Sequence, residues 1–170
     1  MSNYIGDMMK SFHLNLELQH IYMEVNAERF HYLPLFFESY YCHRHGLVTN
    51  NDKTDWEGIF KVAPRSLEAQ GITERKRLVR EWFLPSSVFI GLLKAMVRDD
   101  RLSLAALQTE LEQKLFYVVI TREEQAKLKQ QGGLKAMPAS YYQVDHRDYS
   151  NPLARFHDAG IYLSDECMFS

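Results

Sequence analysis

The sequence predicts a helix-dominated α+β fold, one domain over residues 1–170 with a small β-sheet. Three observations carry this. Residues 103–133 read as helix, buried strand and helix, in the segments SLAALQTELEQKL, LFYVVI and TREEQAKLKQQ, the last ended by Gly132 and Gly133. That strand–helix unit is not repeated along the chain, which argues against a doubly wound parallel sheet. A chain of 170 residues, 46% hydrophobic and 25% charged, suits a single globular domain and buries about 70% of its unfolded surface without a disulfide or metal.

Phe12, Leu14, Leu16 and Leu18 alternate with His13, Asn15 and Glu17, the period of a half-buried strand. Leu14, Leu18, Ile21 and Val25 also fit a helical stripe. The alternation favours a strand over 11–18 and a second over 21–26. ERFHYLP turns the chain, and Pro34 breaks what precedes it. Residues 35–45 suit a helix stopped by Gly46. TNNDKT at 49–54 is a polar loop, and Thr54 can cap a short helix closed by Pro64.

Thr73 is a suitable cap for a helix ERKRLVREWF, with its cations outward and Leu78, Val79 and Trp82 inward. Pro85 ends it. Ser86 or Ser87 caps VFIGLLKAMVRDD, whose Val88, Leu92, Leu93, Met96 and Val97 form an apolar stripe. Ser103 opens the next helix. Thr121 and Glu124 form an S/T-x-x-E capping box. Beyond Gly133 the chain turns irregular and Tyr-rich. Asn151, Pro152 and Gly160 frame a last short helix, and residues 161–163 suit an edge strand. Residues 137–170 form a C-terminal arm that packs on the core or on a partner.

A net charge of −2 gives no general basic field, so any nucleic-acid role needs a local patch. Cys42 and Cys167 lie far apart and make no CxxC pair. No signal peptide and no long apolar run is seen, so a cytoplasmic, non-membrane protein is expected.

Five groups of residues are candidates for chemistry. The helices at 86–98 and 103–115, with 73–83 before them, match a helix-turn-helix. The reading helix, however, offers base edges only Gln108 and Thr109 before Glu110 and Glu112. Arg65, Arg75, Lys76, Arg77 and Arg80, opposed by Glu68, Glu74 and Glu81, form a basic patch able to hold phosphate oxygens. Cys42, His43 and His45, with His31 upstream, and Asp145, His146, Asp148 and His157 are metal-ligand types. Their spacing matches no standard site, and no metal is expected. Cys42 beside His43 is poorly placed for a nucleophile–base pair. No G-x-S-x-G, P-loop or G-x-G-x-x-G occurs. Finally, Tyr40 with Tyr41, and Tyr141, Tyr142, Tyr149, Phe156 and Tyr162, are amphipathic rings suited to a partner surface.

These observations point to a non-catalytic accessory or regulatory binding protein without a cofactor. It meets a protein partner, a second copy of itself, or nucleic acid through the basic helix and the Tyr-rich surface. The alternative is a metal-assisted hydrolase or nuclease built from the His and Asp residues.

Overall fold

The computed structural model describes residues 2–164, with side chains from Lys10 onward; Cys167 and the end of the C-terminal arm lie outside the described residues. The fold is helix-dominated α+β. In chain order the elements are α1 (Ser2–Asn26), α2 (Leu33–Arg44), α3 (Ile59–Val62), β1 (Leu78–Trp82), α4 (Ser86–Arg98), α5 (Leu104–Lys114), β2 (Tyr117–Thr121), α6 (Arg122–Gln130) and α7 (Ala154–Asp158), with short 3-10 turns at Phe30–Tyr32, Arg75–Arg77 and Ala139–Tyr142. The chain divides into two compact units, Met1–Ile59 with Ile90–Leu115 (unit 1) and Phe60–Phe89 with Phe116–Ser170 (unit 2).

In unit 1, α1 packs against α2 and α5. The two strands expected over 11–18 and 21–26 are one helix. Leu18, Ile21 and Val25 are buried at helical spacing, whereas Phe12 and Leu16, which produced the apparent alternation, are exposed. The helix stops in a Schellman turn: Arg29 N donates to Glu24 O and Glu28 N to Val25 O, with Glu28 at φ +55°. Helix α2 stops the same way at Gly46, as its glycine predicts: Leu47 N donates to Cys42 O, and φ is +68°. Thr54 caps no helix. It pairs with Val48 across a narrow loop.

In unit 2, β1 and β2 pair antiparallel, with Arg80 opposite Val119 and Trp82 opposite Tyr117. The expected helix over 73–83 is therefore a 3-10 turn followed by a strand, and no three-helix unit forms around α4 and α5. The reason is non-local. Every residue of β2 is buried, so its backbone groups need partners, and LVREW carries the Val and Trp that suit a strand. On the other side of β2, Val119 N donates to Pro64 O (2.8 Å) and Ser66 N to Val119 O (3.0 Å). Residues 161–164 add a further rung, where Ser66 bridges Leu163. One face of the sheet, through Val118 and Ile120, packs with Leu128, Phe156, Ala159 and Ile161.

Phe83 N donates to Phe116 O. By antiparallel alternation Val79 and Glu81 also direct their backbone groups at β2, and Leu78, Arg80 and Trp82 direct theirs away. Two of those outward carbonyls are engaged: Arg75 Nη1 donates to Leu78 O (3.1 Å), and Arg155 Nη2 donates to Trp82 O.

The capping box of α6 forms as expected. Thr121 Oγ1 accepts from Glu124 N (3.1 Å) and Glu124 Oε2 accepts from Thr121 N (2.8 Å). It continues further than the sequence indicates. Ser66 Oγ donates to the same Oε2 at 2.6 Å and accepts from Ala69 N at 3.1 Å, with Ser66 and Glu124 both buried.

Candidate functional site

The five cations of the expected patch lie in unit 2, on loops and a strand instead of one helix face, and most are held by the fold. Arg65 donates to three carbonyls, Phe60 O (3.1 Å), Ala69 O (3.1 Å) and Ile72 O (2.8 Å), and so closes the turn between them. Arg75 lies over the Phe60 ring at 3.3 Å besides holding Leu78 O. Arg80 is half-buried with its guanidinium 5.3 Å from the Tyr117 ring. Lys76 and Arg77 are exposed, and Lys76 pairs with Glu74 at 2.9 Å. Gln108 lies in unit 1, exposed on α5, where it donates to Glu112 at 2.8 Å.

Of the Tyr-rich candidates, Phe156 belongs to the core. It is fully buried against Val118, Ile120 and Leu128, because the short α7 turns its apolar side onto the sheet. Tyr40 and Tyr41 are buried on α2 in unit 1, and Tyr162 is exposed beyond α7. Tyr141, Tyr142 and Tyr149 sit on a closed loop. Pro138 starts the Ala139–Tyr142 turn, and Ser150 N donates back to Tyr141 O at 2.9 Å, bringing the ends of 141–150 together. Inside it, His146 N donates to Gln143 O and Tyr149 N to His146 O, each at 2.9 Å. Asp148 N donates to His146 Nδ1 at 3.0 Å. The loop is thus pinned by its own backbone as an Ω-loop. It presents Tyr142, Val144 and Tyr149 at 60%, 71% and 48% exposure. Tyr141, half-buried, meets Tyr142 edge to face at 5.0 Å.

Two groups escaped the sequence reading. Arg155 is buried and donates to Gly133 O (2.6 Å) and Trp82 O, with Nε lacking a hydrogen-bond partner among the described residues. Burial holds its pKa down at about 10, against the pull of Glu81. The second group is a polar stripe on α1, His13, Glu17, His20 and Glu24, beside the apolar stripe and visible only once residues 11–26 are one helix. The His13 and His43 rings are 5.5 Å apart and 19° from parallel. His13 Nε2 lies 4.0 Å from Asp52 Oδ2, and His20 Nδ1 lies 3.7 Å from Glu17 Oε2. Burial holds His43 below the ordinary histidine range, with His13 adding to the effect while Glu17 and Asp52 oppose it.

Among the described residues, no three His, Cys, Asp or Glu side chains are grouped to hold a metal ion, and no helix is long and apolar enough to cross a membrane. No protein-family model, curated protein or solved structure matches the chain.

Proposed function

We propose that this is a non-catalytic accessory protein that meets a protein partner through the 141–150 loop of unit 2. The observation that carries the proposal is the combination of a backbone-pinned loop with three large, exposed apolar side chains, Tyr142, Val144 and Tyr149. Pinning matters because a contact loop already in its bound shape loses less entropy on association. Tyr supplies contact area with few rotatable bonds and a hydroxyl for the rim. The basic residues support a nucleic-acid role less well, since Arg65, Arg75 and Arg80 are tied to the fold and Lys76 and Arg77 remain exposed. A cytoplasmic setting is part of the proposal and rests on composition alone.

The test is site-specific photo-crosslinking in cells, with a benzophenone side chain at position 144 and, as control, at Leu35, which is 72% exposed in unit 1. A discrete protein adduct is expected from position 144 and not from 35. It should disappear when Tyr142→Ser and Tyr149→Ser are added. An adduct pattern identical at the two positions, or one indifferent to the Tyr substitutions, would sink the proposal.

A further inference from the structure

Helix α1 has two apolar faces. Leu18, Ile21 and Val25 pack into unit 1 and are buried. On the opposite side Phe12, Asn15, Leu16, Gln19, Met23 and Asn26 are exposed, and at about 100° per residue they fall within an arc of roughly 100°. A helix side turned to solvent normally carries charge. This one holds no Lys, Arg, Asp or Glu from Ser11 to Asn26, whereas Glu17 and Glu24 beside it are tucked in, with side chains 15% and 14% exposed. Phe12 and Met23 are 60% and 55% exposed. The positions 12, 16, 19, 23 and 26 are spaced alternately by four and three, and the sequence carries the spacing back through Met9 to Ile5. That is the heptad repeat by which one helix seats along another.

We propose that this face is a homodimer seam, along which α1 pairs in parallel with α1 of a second copy as a two-stranded coiled coil. The choice of occupant rests on charge and on Gln19. A charged partner surface would lose water against this strip and gain no counter-ion, whereas a second copy brings a strip as uncharged as its own. The Gln19 amide carries both donors and an acceptor. A parallel copy sets it against Gln19 of the second copy, where the two amides bond each other. Such a polar core position fixes register and strand number at some cost in stability. An antiparallel copy interleaves the two kinds of seam position, so Gln19 then faces Met9, Leu16 or Met23 in every register and its amide stays unpaired. The six exposed side chains of the face fall well short of the roughly 20–30 per partner of a standard interface. The dimer is therefore weak and reversible, with Kd between about 1 μM and 1 mM. The seam lies in unit 1 and does not rest on the unit 2 contact loop.

The experiment is sedimentation equilibrium of the whole chain from about 1 μM to 1 mM. The mass is expected to rise from 20.0 kDa towards twice that value. Leu16→Glu should weaken association at least about tenfold, since each copy loses a seam Leu and two carboxylates face each other. Circular dichroism checks that this variant is folded; if it is not, Phe12→Ser at the more exposed position serves. Orientation is read from air oxidation of Gln19→Cys against Lys10→Cys, on the far side of α1, both in a Cys167→Ser background with Cys42 buried. Paired thiols meet at an effective concentration in the mM range, so the dimer disulfide should form at least about tenfold faster at position 19 than at 10. Tyr142→Ser with Tyr149→Ser should leave the mass unchanged. A chain that stays at 20.0 kDa throughout would overturn the proposal and leave the face to a different helix. A dimer indifferent to the seam substitution, a dimer lost with the loop tyrosines, or equal oxidation at 19 and 10 would each overturn it as well.

Discussion

Replacing Ser66 with Ala should destabilise unit 2 by about 2 kcal/mol. The Ser66 hydroxyl donates to Glu124 Oε2 at 2.6 Å in a fully buried setting, and a hydrogen bond to a charged group contributes about 1.5–3 kcal/mol. The amide of Ala69 loses one acceptor but keeps Ser66 O at 3.1 Å, so that loss adds little. Glu124 Oε2 keeps the Thr121 amide at 2.8 Å and is not orphaned, which places the estimate inside the range instead of at its top. The assay is urea unfolding followed by Trp82 fluorescence in a Trp56→Phe background, since Trp82 stacks on Tyr117 inside unit 2. With a slope of about 1–3 kcal/mol/M, the midpoint should fall by roughly 0.7–2 M. A double-mutant cycle with Glu124→Gln should return a coupling of about 1 kcal/mol or more. A loss below about 0.5 kcal/mol, or no coupling, would refute the assignment of Ser66 as the outer member of the capping box.

Other substitutions separate structural from surface roles. Arg65→Ala should cost about 2 kcal/mol, because three carbonyls lose their donor; a stability-neutral result in thermal melts would restore Arg65 as a surface cation. Arg155→Met leaves Trp82 O and Gly133 O without that donor and should cost about 3 kcal/mol. Arg155→Lys should recover less than half of it, since one ammonium lacks the fork that reaches both carbonyls. The exposed substitutions Tyr142→Ser, Val144→Ser and Tyr149→Ser should each leave stability within about 0.5 kcal/mol. Burial holds both His43 and His45 below the ordinary value of 6.5. The unfolded chain therefore binds protons first, and stability should fall as pH drops below about 6.5. Urea midpoints for unit 1 that rise on acidification would contradict this.

Much of the fold was legible where its cause is local. Ser103 accepts from Ala106 N as the cap of α5, the Thr121–Glu124 box opens α6, and Gly46 and Gly132 take positive φ at the ends of α2 and α6. The same Schellman stop is made by Glu28 after α1 and by Asp100 after α4, at φ +55° and +53°. No glycine marks those two ends, yet both boundaries, at Asn26 and Arg98, were read from the change in pattern alone. The period of α1 was obscured by Phe12 and Leu16, apolar residues on its exposed side. Strand β1 was missed because LVREW becomes a strand only when the buried β2 recruits it, a partner far along the chain. The candidate sites follow the same division. The Tyr-rich composition of 141–149 was plain, whereas its closure by Ser150 and Tyr141 was not. The His–Glu stripe required the helix before it could be seen at all.

The two arginine bonds on the outer side of β1 bear on how this protein stays dispersed. A strand with unpaired carbonyls along one side is a template on which another chain can grow, the first step towards sheet-to-sheet polymerisation. Here Leu78 O and Trp82 O, at the two ends of that side, already hold a guanidinium from Arg75 and Arg155. An approaching strand would have to displace a cation at each end before it could register, and would meet positive charge while doing so. Two arginines drawn from distant parts of the chain thus act as stoppers against fibrous growth.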